Sequence, residues 1–194
     1  MTVTKIIDNT VITACLSEIE SINLFDVCST VYQLATSSEV YAEALDGFDA
    51  HEMNRKCNSL QVFDMANNRK YVSLKTFLQN RYPYLGLGEI SSFLVAILEY
   101  DLQNRAYYYI TDDRRMRKVI DALERNEDLL FIKVLGGKIA HFKDTGTIGL
   151  LIKLCQKGTL SKDRVSGIAD ELERSTFRIT PDLTTQLKEC RNEA

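Results

Sequence analysis

Short apolar runs alternate along this chain with longer stretches whose apolar residues recur at helical spacing, and that alternation constrains the fold most. Residues 4–8 (TKIID), 30–36 (TVYQLAT), 106–110 (AYYYI) and 138–142 (KIAHF) read as strands, with a further one near 60–63 (LQVF). Helical spacing occupies 10–20, 37–45, 70–78, 88–103, 113 to about 135, 145–158, 161–175 and 182–190. The clearest case is 88–103, where Ile90, Phe93, Leu94, Ile97 and Leu98 share one helical face. Gly47 closes the helix over 37–45, and Gly136-Gly137 closes the one that starts at 113. Strands that alternate with helices predict an α/β fold in three layers, with a central, mostly parallel sheet of four or five strands. A parallel sheet binds ligands beyond the carboxyl ends of its strands, so the residues that follow each strand matter most.

Composition narrows the class. A chain of 194 residues, 45% hydrophobic and 26% charged, fits one domain over 1–194, with an enlarged helical segment around 46–85 and C-terminal helices over 161–190. Two prolines and nine glycines leave no room for a flexible linker. The longest apolar runs, such as 93–98 (FLVAIL), fall far short of a membrane span, and the N-terminal residues lack the apolar core of a signal peptide. Five scattered cysteines form no CxxC pair, so they are expected to be core residues in a reducing cytoplasm. A net charge of −3 argues against a broad basic surface for nucleic acid, although not against a local one. No phosphate-cradling GxxxxGK[ST] or GxGxxG loop is present, which disfavours a nucleotide-binding domain.

Carboxylates gather at the predicted strand ends. Asp8 closes the first strand, Asp112 and Asp113 follow the strand at 106–110, and Asp144 follows the one at 138–142. Glu43 lies in the helix after the second strand, and Glu89 opens the helix at 88. Each has an ordinary use alone: Asp8 as a helix cap, Asp112 or Asp113 as another, Glu89 as a first-turn acid, Glu43 as a solvated helix residue and Asp144 as a turn residue. As a set brought to one sheet edge they repel, and a bound cation relieves that repulsion. All-oxygen donors suit Mg²⁺ or Mn²⁺. The sequence after the Asp pair, Arg114-Arg115-Met116-Arg117-Lys118, places cations beside the acids, either to hold phosphates or as a solvated first helical turn. Tyr107, Tyr108 and Tyr109 read as core, while Tyr82 and Tyr84 are better placed to stack a base.

The segments 7–12 (IDNTVI), 39–45 (EVYAEAL), 86–98 (GLGEISSFLVAIL), 110–120 (ITDDRRMRKVI) and 145–161 (TGTIGLLIKLCQKGTLS) occur in an order that resembles the PIN domains. The last three resemble the subgroup with Gly-Glu, Asp-Asp-Arg-x-x-Arg and Gly-Thr-x-Gly motifs. There are departures. The usual Asp-Thr-Asn or Asp-Thr-Ser is Asp8-Asn9-Thr10 here, the proline before the Glu43 motif is missing, and 46–85 and the stretch between Arg117 and Gly146 are long.

The resemblance implies a three-layer fold and a metal-dependent nuclease, acting on RNA more often than DNA, many relatives being toxins paired with an antitoxin and many being homodimers. It implies Asp8, Glu43, Glu89 and Asp113 as catalytic metal ligands for one or two ions, with Asp113 preferred to Asp112 for the last position; spacing alone leaves open which of the two faces the metal. Thr10, Thr111 and Thr147 are then expected to orient water or phosphate, and Arg114, Arg115 and Arg117 to hold the substrate. The competing expectation is an inactive PIN-like binding or scaffold subunit. A phosphotransferase with an Asp-x-Asp nucleophile is disfavoured because Asn9 and Thr10 follow Asp8.

Overall fold

The computed structural model describes residues 3–103, 108–125 and 143–190. Its centre is one parallel sheet of five strands: β1 (Val3–Ile7), β2 (Tyr32–Ser37), β3 (Gln61–Phe63), β4 (Tyr108–Ile110) and β5 (Lys143–Thr145), in the order β3-β2-β1-β4-β5. The chain builds outward from β1 in one direction to β3, then returns to the other side of β1 for β4. The switch in direction therefore falls between β1 and β4.

Register divides the strand residues between two faces. Ile6, Ala35 and Tyr109 are in register and face one core, built with α5 (Arg69–Arg81), α6 (Leu87–Gln103) and α7 (Arg114–Glu124). Ile7 and Ile110 are in register and face the other, built with α1 (Asn9–Thr13), α8 (Thr147–Gln156), α9 (Lys162–Arg174) and α10 (Pro181–Lys188). Alternate residues of a strand point to opposite faces, so a sheet buried on both sides needs apolar residues at consecutive positions, as Ile6-Ile7 and Tyr109-Ile110 provide. Each fully buried Ile or Phe contributes about 1.5–3 kcal/mol. Phe93 of α6 meets Tyr109 edge-on at 6.0 Å, a geometry that adds about 0.5–1.5 kcal/mol. The three-layer α/β/α expectation holds, and all five strands are parallel.

Local boundaries follow side-chain caps. Ser37 caps α3 (Ser38–Gly47), Asp49 caps α4 (Ala50–Lys56), and Asn68 caps α5, each accepting from amides of the first turn. All five cysteines are buried and none forms a disulfide among the described residues, as expected for core residues. No helix of the described residues is long and apolar enough to cross a membrane.

Three expectations change, and one element is added. The helix over 10–20 is α1 followed by a π-helical turn, Ala14–Glu18. A short helix, α2 (Leu24–Ser29), precedes β2, where the Asn23 side chain caps it by accepting from Phe25 N–H. Asp144 lies within β5, paired in register with Tyr109, and does not follow a strand. The helix expected from 113 to about 135 ends instead at Glu124, with Arg125 as its C-cap. The strand expected at 138–142 and the glycines at 136 and 137 lie outside the described residues.

Candidate active site

Asp8 and Asp112 follow β1 and β4, the two strands that flank the switch in chain direction. An open parallel sheet leaves its crevice at this place. Asp8 is the N-cap of α1 and accepts from Val11 N–H at 3.2 Å. It also accepts from the hydroxyls of Thr10, at 2.5 Å, and of Thr111. Each hydroxyl accepts in turn from an amide just after β4: Asp112 N–H donates to Thr10 Oγ1 and Asp113 N–H to Thr111 Oγ1, both at 3.0 Å. The two amides fix which way each hydroxyl proton points, so both aim at Asp8. Thr111 is fully buried, and its hydroxyl orients Asp8 rather than facing the cleft.

The tandem aspartates divide their work. Asp113 caps α7 by accepting from Arg115 and Met116 N–H at 2.7 and 2.8 Å. Asp112 instead reaches across to the start of α8, where it accepts from Thr147 N–H at 3.0 Å and Thr147 Oγ1 at 2.5 Å. Gly146 makes this approach possible, because a side chain there would collide with both Asp112 and Arg117. Asp112 is thus the aspartate tied, through Thr10, to Asp8.

Glu89 and Asp113 form a second pair with a cation of its own. Arg115 donates to Glu89 Oε1 at 2.7 Å and lies 3.3 Å from Asp113 Oδ2, while its Nη1 donates to the Tyr84 carbonyl at 3.1 Å. Glu89 also accepts from Gly86 N–H at 2.7 Å. Glu43 is exposed on α3 and accepts from Gly88 N–H at 3.0 Å, where any larger residue would meet its carboxylate. Arg117 donates to the Thr111 carbonyl and lies 3.8 Å from Asp144, and Arg114 is exposed. Tyr82 and Tyr84 meet edge-on at 6.1 Å, with Tyr84 half exposed.

Electrostatics separates the pairs. Burial pushes the Asp8 carboxyl up to about 7 against the pull of its two threonine hydrogen bonds, and the Asp112 charge adds to the rise. Burial also raises Asp112, against hydrogen bonds from Thr147 and the charge of Arg117. Among the described residues neither Asp8 nor Asp112 makes an ion pair. Burial raises Glu89, with Asp113 adding and Gly86 and Arg115 opposing. Burial pushes Asp113 up as well, but the Met116 amide and Arg115 outweigh it and hold that carboxyl low.

Asp112 and Asp113 open onto a cleft of about 880 Å³, which Asn9 and Thr10 also line. The Asn9 side-chain oxygen is buried without a hydrogen-bond partner. Spacing gave no sign of this orphaned atom. Among the described residues no three carboxylate, histidine or cysteine side chains lie close enough together to hold one ion. A Mg²⁺-type site does not require three, since that ion keeps several waters and takes one or two carboxylates together with substrate phosphates. Asp8 and Asp112, with the orphaned Asn9 oxygen beside them, fit such a site by donor chemistry. Glu89 and Asp113 fit it only if Arg115 leaves. No family model, curated protein or solved structure matches this chain.

Proposed function

We propose that the protein is a metal-dependent endoribonuclease of PIN type, with Asp8 and Asp112 as the principal ligands of a Mg²⁺ or Mn²⁺ ion. One observation carries the reading: a buried carboxylate, Asp8, and a half-buried one, Asp112, neither with an ion pair among the described residues, lie at the switch point of a parallel sheet, and Asn9, with its orphaned side-chain oxygen, lines the same cleft as Asp112. When bound, such an ion lowers the pKa of a coordinated water and offsets charge that develops on the phosphoryl oxygens. The chain supplies the rest. Thr10 and Thr111 hold Asp8 in its ionised orientation, and the start of α8 holds Asp112. Arg114 and Arg117 lie on the cleft, where they can take the phosphates on either side of the reacting one. Asp113 adds a further carboxylate to the cleft, and Glu43 and Glu89 belong to the same reading from outside its lining. Toxin activity, an occluding antitoxin and homodimer formation belong to the same reading.

Internal pairing of Glu89 and Asp113 with Arg115 favours one second reading, a catalytically silent PIN-like binding or scaffold subunit. Incubation with mixed total RNA separates the two. Wild type with Mn²⁺ or Mg²⁺ is expected to cut the RNA, and EDTA, Asp8→Asn or Asp112→Asn to stop it. Absence of Mn²⁺ binding by calorimetry, together with intact RNA, would leave the scaffold reading.

A further inference from the structure

The cleft does not end at the carboxylates. It continues past Gly149 and Ile152 of α8 to the segment 176–186, which contributes Phe177, Arg178 and Leu183 to its lining. None of these stood out in the sequence. We infer that Phe177 and Arg178 form a subsite for single-stranded RNA, at which a base stacks on Phe177 and Arg178 takes the neighbouring phosphate. This inference rests on the proposed nuclease reading and deepens it.

Three observations support the subsite. First, the segment is held in place before any ligand arrives. The Glu18 carboxylate, at the end of the π-helical turn, accepts from Thr176 N–H at 3.1 Å and Thr176 Oγ1 at 2.6 Å. Phe177 N–H donates to Ser175 Oγ at 3.1 Å, and Glu171 of α9 accepts from Glu20 N–H at 3.1 Å. Rigid placement lowers the ordering cost of binding. Second, Phe177 is half-buried, packed against the core while also lining the cleft, as a stacking platform must be.

Third, charge in the cleft is unevenly satisfied. Arg115 is paired with Glu89 and Asp113, Arg117 with Asp144, and Glu18 is held by Thr176. Arg114 and Arg178 are exposed and make no ion pair among the described residues, in a chain whose net charge is −3. Two guanidinium groups without an ion pair among the described residues, on one cleft headed by Asp112 and Asp113, match a chain of phosphates that runs from Asp112 towards Phe177. The strand must be single, because a base reaches Phe177 only when it is unstacked from a partner.

Binding is measured in EDTA, so that cleavage plays no part. Fluorescein-labelled oligouridylate, oligoadenylate and an RNA duplex of equal length are titrated with wild type, Arg178→Ala, Phe177→Leu, Phe177→Tyr and, as a control on the outer face, Arg164→Ala. Wild type is expected to prefer the single strands. Phe177→Leu is expected to weaken them by roughly 5- to 100-fold, with Phe177→Tyr restoring most of the affinity. Arg178→Ala is expected to weaken binding and to flatten the slope of log affinity against log salt by about one phosphate contact. Thermal melting on each variant excludes loss of fold as the cause. Preference for duplex, or Phe177→Leu and Arg178→Ala variants that bind as wild type does, would overturn the subsite. The two claims fail separately: strands bound through Phe177 and Arg178 but never cut with Mn²⁺ break the nuclease reading alone, and cutting with unchanged KM in both variants breaks the subsite alone.

Discussion

Two carboxylate pairs stand side by side at the carboxyl edge of the sheet, and the chain treats them in opposite ways. Glu89 and Asp113 share a guanidinium, so their charge is balanced within the protein. Asp8 and Asp112 receive only hydroxyl and amide protons, and their charge is oriented without being balanced. Hydrogen bonds of that kind cost the site nothing if a cation arrives, because each carboxylate keeps further lone pairs for it. The difference teaches which carboxylates are neutralised within the protein and which are only held in place.

The largest expected effect tests which pair carries the chemistry. Asp8→Asn and Asp112→Asn are each expected to lower Mn²⁺-dependent RNA cleavage by about 100-fold or more, above what loss of an outer partner costs. Glu89→Gln and Asp113→Asn are expected to cost less. Equal losses at all four positions, read from initial rates, would break the contrast between the pairs.

A second test reads the unbalanced pair through stability. The folded Asp8 carboxyl holds its proton up to about pH 7, whereas the unfolded chain releases it near 4. Between those values the folded state binds more protons than the unfolded one, so ionising Asp8 makes stability fall as pH rises. Asp8→Asn removes this loss. In EDTA its stability relative to wild type is expected to improve between pH 4 and pH 8, by an amount on the order of a few kcal/mol. Urea denaturation at both pH values measures it, and a pH-independent difference would show that Asp8 is not held in this way.

Much of this arrangement was legible beforehand, for reasons that particular residues make plain. Helical spacing in Ile90, Phe93, Leu94, Ile97 and Leu98 comes from packing on a sheet, and the consecutive apolar residues of β1 and β4 come from burial on both faces. Asp8 and the Asp112-Asp113 pair were placed at strand ends because the apolar runs stop there. The division of labour between Asp112 and Asp113 was legible too, although it was left open: Met116, Val119, Ile120 and Leu123 fix the start of α7, and its cap must be the residue just before Arg114. Asp144 was misplaced because β5 reads Lys-Asp-Thr, an edge strand with no apolar signature. Phe177 and Arg178 had no local signal, since a segment far along the chain brings them to the cleft.

Glycine gives a smaller contrast. Gly146→Ala forces Asp112 away from the start of α8, and Gly88→Ala forces Glu43 away from α6. Each is expected to cost about 1–3 kcal/mol in denaturant melts. Because Glu43 is exposed and free to swing outward, Gly88→Ala belongs at the lower end. A reversed order would show that Asp112 can leave its place cheaply.

The smallest effect sharpens the balanced pair. Arg115→Ala is expected to change stability by about 1 kcal/mol or less, as exposed ion pairs do. It is also expected to add a second Mn²⁺ equivalent, which calorimetric titration would count. An unchanged stoichiometry would show that Glu89 and Asp113 hold no ion even when their guanidinium is gone.

The bonds that orient Asp8 also set a clock. Thr111 donates to it across 103 positions of sequence, Thr10 links it to Asp112 across 102, and Asp112 is in turn fixed by Thr147, 35 positions further on. The Thr111 and Asp112 contacts cannot form until β4 has been made, and the Thr147 contact not until α8 has been started. A nascent polypeptide that has released β1, β2 and β3 from the ribosome carries Asp8 with only Thr10 and the Val11 amide to hold it. If the folded protein cuts RNA, its own messenger is read past the codons for the start of α8 before the site is complete.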